Sequence, residues 1–95
     1  MSEIFSELSP KHIKFIGKQQ IFFVATAGSE GFVNVSPKGM DSLRVVTEKQ
    51  VVWLNLTGSG NETAAHVLEN KRMTVMFCSF EKEPLIMRLY GNAEV

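Results

Sequence analysis

Cysteine is nearly absent from this chain, since Cys78 is the single cysteine among 95 residues. An internal disulfide and a cysteine-based metal cluster are therefore excluded. Neither sign of charge prevails, because ten Lys and Arg residues balance ten Asp and Glu residues. A nucleic-acid binder usually carries a basic stripe, so no nucleic-acid partner is expected. Cys78 lies in an apolar run and is interpreted as a core residue rather than a nucleophile.

Long hydrophobic runs are missing as well. No apolar stretch approaches the roughly 20 residues that span a membrane, and the N-terminus lacks the basic start and apolar stretch of a signal peptide. These features predict a cytoplasmic protein without a membrane partner, reduced at its one thiol. The length allows one small domain over residues 1–95. Because residues 85–95 resemble a strand without a polar tail, we expect the N-terminal part of a longer protein or a domain completed in an oligomer.

Apolar patterning predicts a mainly β domain. Ser9 and Pro10 suit the N-cap and first position of a helix that ends near Lys18. A second helical segment covers residues 64–70. Six strands are predicted at residues 21–27, 32–36, 43–46, 51–55, 73–80 and 85–95, with Pro37 ending the regular pairing of the second strand. Most connections are short turns such as 28–31, which favours an antiparallel barrel.

A Gly- and Ser-rich loop at residues 55–63 lies between the apolar run 51–54 and the second helical segment. Glycines let a backbone approach a ligand closely, and the first turn of a helix leaves N–H groups free to bind an anion. Ser59, Asn61 and Thr63 add short polar side chains. This arrangement suits a phosphate. The alternative is a capped helix after a flexible turn, since the same residue types are preferred N-caps.

Three segments, taken in order, resemble the pyridoxamine 5'-phosphate oxidase-like family of split barrels that bind flavin mononucleotide (FMN). Residues 22–27 with the following glycine turn resemble the opening hairpin of that family. Residues 33–39 resemble its second strand, and residues 52–70 resemble its phosphate-binding strand, loop and helix. The resemblance covers the chain from about residue 10. It implies an antiparallel split β-barrel with one or two short helices, which forms a homodimer with FMN at the subunit interface.

The resemblance also implies cofactor-binding residues, and it assigns no catalytic residue. Ser36, Pro37, Lys38 and Gly39 match the stretch beside the flavin ring and ribityl chain, and Trp53 and Leu54 match positions that flank the cofactor. The phosphate would be held by Ser59, Asn61 and Thr63. Arg44, which alternates with apolar neighbours, either reaches the phosphate or points to water.

The two histidines are expected to have other roles. His66 has no second ligand at metal-binding spacing, so no metal site is predicted and His66 is expected to support the loop structurally. His12 is expected to be exposed.

Departures from the family limit the predicted function. The oxidases proper carry an arginine where this chain has Ser36, and an arginine–lysine pair where it has Thr63 and Ala64. These differences argue against oxidation of pyridoxamine phosphate itself. The sequence predicts an FMN-dependent oxidoreductase of unassigned substrate, with a reduced nicotinamide as one candidate donor. A non-catalytic flavin-binding protein and a small interaction module without a ligand are the alternatives.

Overall fold

The computed structural model describes residues 5–39, 42–54, 60–80 and 84–94, and only the backbone of residues 60–64. Two helices and six strands follow one another along the chain. Their bounds are α1 Pro10–Gly17, β1 Ile21–Thr26, β2 Asn34–Gly39, β3 Leu43–Thr47, β4 Gln50–Trp53, α2 Gly60–Asn70, β5 Arg72–Ser79 and β6 Leu85–Asn92.

The strands form two antiparallel sheets. The larger sheet has the order β2-β1-β5-β6, and the smaller one is the β3–β4 hairpin. The predicted mainly β, antiparallel fold with two short helices is therefore confirmed. Within the described residues the two sheets do not close into one barrel, which is consistent with a split-barrel fragment.

The core lies on one face of the four-stranded sheet. β1 and β5 alternate buried and half-buried residues along their length, because successive side chains of a strand point to opposite faces. Val24 and Phe77 are fully enclosed, and Phe22, Val75, Val67 of α2 and Ile16 of α1 complete much of this core. Leu43, Val45 and Trp53 of the β3–β4 hairpin pack against it.

The first helix begins as predicted. The Ser9 hydroxyl accepts a hydrogen bond from the His12 backbone N–H at 3.2 Å, and His12 Nδ1 accepts one from the Ser9 N–H at 3.0 Å. This reciprocal capping box satisfies N–H groups that the helix leaves without partners. His12 is half-buried rather than exposed, because its ring folds back onto the start of the helix. That expectation was wrong.

The second strand differs from its prediction at both ends. It begins at Asn34 and continues through Pro37 to Gly39, with Pro37 directly opposite Phe23 of β1. The prediction that Pro37 ends the pairing was wrong because β2 is an outer strand of its sheet. An outer strand needs N–H donors on one side only, and it therefore tolerates a proline.

The second helix ends in a left-handed turn. Lys71 has φ 63°, a conformation that glycine adopts without penalty and that other residues rarely adopt. The Lys71 N–H still donates to the Val67 carbonyl at 3.0 Å, and the Lys71 carbonyl accepts from the Ala93 N–H at 2.7 Å. This turn therefore connects α2 directly to the paired strands β5 and β6.

Replacing Lys71 with glycine is expected to stabilise the fold by about 0.5–1 kcal/mol, because glycine removes the cost of the left-handed conformation. Urea unfolding of Lys71→Gly measures this free energy. Lys71→Ala is the control, because alanine keeps the Cβ atom and removes the exposed 4.0 Å ion pair between Lys71 and Glu94. A glycine variant no more stable than the alanine variant would contradict the prediction.

Candidate functional site

A row of polar side chains interrupts the apolar core face of the sheet. Asn34, Ser36 and Lys38 alternate along β2 and are here called the polar row. Directly opposite them on β1 lie Thr26, Val24 and Phe22 in that order. Residues that pair directly across an antiparallel ladder share a face, so the polar row lies on the core side.

Ser36 is the most deeply placed member of the polar row, with a relative exposure of 5%. The Asn34 side-chain amide donates a hydrogen bond to the Ser36 hydroxyl at 3.3 Å. Lys38 is half-buried, opposite Phe22. The Ser36 hydroxyl thus has a hydrogen-bond partner, and polar groups that converge beside an apolar face are typical of ligand sites, so the polar row is a candidate one.

The structure divides the predicted stretch 36–39 between the two faces of the sheet. Ser36 and Lys38 face the core side, whereas Pro37 and Gly39 alternate with them and are exposed. A ligand on the core side would therefore meet the side chains of Ser36 and Lys38, while Pro37 and Gly39 would contribute backbone.

Trp53 contacts Phe22, which in turn lies opposite Lys38 of the polar row. The Trp53 side chain is half-buried and meets Phe22 edge-on, with ring centroids 6.0 Å apart. Phe22 is the residue opposite Lys38. Trp53 therefore packs against the core, and its predicted place beside a cofactor stays a prediction. Leu54 follows β4, is largely exposed, and donates its N–H to the Ser42 carbonyl at 3.0 Å.

Arg44 lies on the opposite face of β3 from Leu43 and Val45, the two residues that pack against the core. The Arg44 side chain is exposed, and its Nη1 donates to the Leu43 carbonyl at 2.9 Å. The structure does not bring this guanidinium to the core side with the polar row. Its predicted contact with a phosphate stays a prediction.

The predicted phosphate loop is only partly described. Ser59 lies outside the described residues. Asn61 and Thr63 fall in the first two turns of α2, and their side chains also lie outside the described part of the chain. The backbone of α2 begins at Gly60 and runs for 11 residues. A helix of this length presents N–H groups and the positive end of its dipole at its first turn.

The other end of α2 is attached to the β1–β2 connection by three side chains, His66, Glu69 and Asn70, here called the latch face. His66 Nδ1 lies 2.9 Å from Thr26 Oγ1 in a buried hydrogen bond. The Asn70 amide donates to the Ala27 carbonyl at 2.6 Å, and the Ser29 N–H donates to Glu69 at 2.8 Å. His66 thus has a structural role on β1, and its expected support of the loop at residues 55–63 stays a prediction.

Sequence reasoning did not predict these three bonds. Their only signal is a spacing of i, i+3 and i+4, which places the three side chains on one side of a helix. Polar residues at this spacing are also typical of an exposed helix face. The partners lie about 40 positions away in the chain, which periodicity alone does not identify.

Gly28 allows the latch face to approach the connection closely. A Cβ atom at Gly28 would lie 2.8 Å from a Glu69 carboxylate oxygen and 3.3 Å from the His66 ring. The first distance is shorter than real Cβ contacts. A side chain at position 28 would therefore require the flexible end of Glu69 to shift.

Hydrogen bonding to Ser29 shifts the ionisation of Glu69. The Ser29 side chain and then its backbone N–H lower the pKa of Glu69 from its ordinary value of 4.5, and desolvation opposes them in part. The neighbouring His66 contributes a smaller lowering. The carboxylate form of Glu69 is therefore the form that stabilises the latch.

Within the described residues, no group of three or more His, Cys, Asp or Glu side chains could hold a metal ion. Neither described helix is long and apolar enough to cross a membrane.

Comparison with known proteins agrees with the family resemblance of the sequence. The family model described as "Pyridoxamine 5'-phosphate oxidase" matches residues 8–95. The chain is 47% identical over 81 residues to the "Pyridoxamine 5'-phosphate oxidase family protein ustO" of Aspergillus flavus. That match covers 82% of this chain and 32% of the relative, so the chain spans about a third of the relative's length. No solved structure matches the chain. The chain belongs to the pyridoxamine 5'-phosphate oxidase family.

The Glu69–Ser29 bond predicts a pH-dependent contribution to stability. Because the folded pKa of Glu69 is lowered, its contribution is fully present above pH 4.5 and is lost as pH falls through the folded pKa. Glu69→Gln is expected to be less stable than wild type at about pH 7, with the difference shrinking towards about pH 3. Chemical unfolding across this range measures it.

Glu48→Gln, which alters an exposed glutamate in the turn between β3 and β4, controls for removal of one carboxylate. A constant stability difference between wild type and Glu69→Gln over the whole range would contradict the assignment.

Proposed function

We propose that this chain binds FMN and forms the flavin domain of a homodimeric oxidoreductase whose substrate is unassigned. The observation that carries the proposal is the polar row on the core side of β2. Family membership supports the choice of cofactor, because the resemblance implies a flavin along this strand.

The residues of the polar row fit the chemistry of FMN. Residues two apart on a strand are about 6.5–7 Å apart, so the row presents an amide, a hydroxyl and an ammonium group at regular intervals. Phe22 and Val24 are buried and form the apolar layer against which the row packs. A flat ring with a polar edge and a hydroxylated chain needs this combination of surfaces.

The phosphate of FMN has a separate partner in this proposal. The N-terminal turn of α2 supplies backbone N–H groups and a favourable dipole for an anion. Ser59, Asn61 and Thr63 are proposed to add neutral donors from the loop and first turns. The arginine–lysine pair of the oxidases proper is absent here, so this chain would hold a phosphate chiefly through neutral groups.

When bound, FMN would supply the redox chemistry, and the protein supplies binding, orientation and electrostatics. Lys38 holds a positive charge beside the apolar layer at Phe22. A fixed positive charge in a partly buried position stabilises negative charge on a ligand more strongly than it would in water. Trp53, packed edge-on against Phe22, keeps that layer in place. A reduced nicotinamide is proposed as the electron donor.

Exposed apolar residues on the outer face of the larger sheet support a subunit interface. The ladder pairings place Ile21, Val35, Ile86 and Tyr90 on this face, and each is more than half exposed. Arg88 lies between Ile86 and Tyr90 on the same face, and exposed apolar residues grouped on one face of a small domain are typical of an interaction site. A second copy of the chain is the proposed partner, because a two-fold dimer buries the same patch from both subunits.

A non-catalytic flavin-binding role is the second candidate. The polar row contains hydrogen-bond donors and no carboxylic acid or imidazole, so it offers binding groups without an evident proton donor. Reduction of the bound flavin by a nicotinamide donor under anaerobic conditions separates the two roles. A bound flavin that no donor reduces favours the binding protein.

Protein with its full natural chain, incubated with FMN and freed of unbound ligand, is expected to retain the visible absorbance of a flavin. Lys38→Gln is expected to weaken FMN binding about tenfold, because a hydrogen bond to a charged group contributes about 1.5–3 kcal/mol. Fluorescence titration measures the affinity.

Lys49→Gln is the matched control, because Lys49 is an exposed lysine in the turn between β3 and β4. Its affinity for FMN is expected to equal that of wild type. Colourless wild-type protein would refute FMN binding, and equal weakening by both substitutions would refute the role of Lys38.

A charge on the outer face of the sheet is expected to dissociate the dimer. Ile86→Glu places a carboxylate among the exposed apolar residues, and burying an unpaired charge in an interface is costly. Sedimentation velocity over a range of concentrations is expected to show a dimer for wild type and a monomer for this variant.

Leu68→Glu is the control, because Leu68 is an exposed apolar residue of α2 rather than of the sheet. A monomeric wild-type protein, or dissociation by both substitutions, is incompatible with the proposed interface.

A further inference from the structure

The two parts of the candidate ligand site are far apart in the chain. The polar row occupies β2, whereas the N-terminal turn of α2 begins at Gly60, after the β3–β4 hairpin. The single residue Lys71 joins α2 to β5, but no short connection joins α2 to β2, so tertiary contacts of α2 contribute to their relative position. Those contacts include the apolar packing of Val67 in the core and the three hydrogen bonds of the latch face.

We propose that the latch face of α2 is a positioning element, which holds the N-terminal turn of the helix at the distance from the polar row that a bound phosphate requires. This inference rests on the proposed function, because it assigns the latch face a role in the same FMN site. His66, Glu69 and Asn70 are positioning residues in this proposal and do not touch the ligand.

The latch face bonds to β1 and to the β1–β2 connection, next to the first residue of the polar row. Thr26, the partner of His66, lies directly opposite Asn34, the first residue of the polar row. The other two bonds end on Ala27 and Ser29, in the connection that leads from β1 to β2. One face of α2 therefore contacts both β1, the strand next to the polar row, and the connection that leads from β1 into β2.

Apolar packing without the three hydrogen bonds would restrict rotation of α2 about its axis less strongly. Burial of Val67 is non-directional, since it depends on the area removed from water. Hydrogen bonds have preferred distances and angles, and three of them at positions i, i+3 and i+4 restrict both rotation and sliding of α2. The helix rises about 1.5 Å per residue, which places Gly60 about 9 Å along the axis from His66. Loss of the latch would therefore displace the phosphate end.

Two ligands that differ only in the phosphate distinguish positioning from general support. FMN engages both parts of the site, whereas riboflavin lacks the phosphate and engages the polar row alone. Thr26→Val and Glu69→Ala each remove one latch bond. Each is expected to weaken FMN binding at least about fivefold while riboflavin affinity changes less than about twofold. Thr26→Ser keeps the hydroxyl and is expected to restore the affinity for FMN.

A second measurement confirms that the latch itself has opened. Amide hydrogen exchange of Ser29 is expected to accelerate in Glu69→Ala, because its N–H loses the Glu69 acceptor. The Glu69 side chain is exposed, so this variant is expected to remain folded even if Thr26→Val, which removes a buried bond, does not.

The outcomes separate the two proposals. If wild type binds neither FMN nor riboflavin, the proposed function fails and the positioning role fails with it. If wild type binds both ligands and the folded variants lose affinity for both equally, or for neither, the positioning role alone is overturned. Selective loss of FMN affinity, with recovery in Thr26→Ser, is the supporting result.

Discussion

The register of the central strand β1 is the constraint on which the candidate site depends. Val24 is completely buried and pairs with Ser36 on one side and with Val75 on the other. A shift of the β1–β2 pairing by one residue would turn every β2 side chain to the other face. The polar row would then face outward, and Val35 and Pro37 would face the core. The burial of Val24 and its neighbours therefore sets which donors a ligand can reach.

Much of the fold could be predicted because its signals are local. The apolar, β-branched and aromatic runs of β1 and β5 and the Ser9–Pro10 start of α1 are signals that act over a few residues, and each corresponds to an observed element. The path of β2 through Pro37 could not be read in this way. A proline ends a central strand but not an outer one, and the position of a strand in its sheet depends on pairings with distant segments.

The candidate site could likewise be predicted only in part from the sequence. Resemblance to a family indicated a stretch at residues 36–39, and the pleat of β2 shows that only Ser36 and Lys38 of this stretch face the core side. Asn34 was not predicted, although the same alternation extends the row to it. The latch face was missed because its residues are ordinary for a helix surface. Their role becomes visible only in the folded structure, where Thr26, Ala27 and Ser29 lie within hydrogen-bond distance of them.

A domain of this size has little stability to spare, since a small chain buries a smaller fraction of its surface than a large one. A polar row on a core face reduces that stability in an isolated chain, and apolar residues left exposed on the outer face add nothing to it. A ligand or partner that binds only the folded form raises the stability by mass action. The proposed cofactor and the proposed second subunit would each add stability at one of these two features, which would link folding of the domain to occupation of its site.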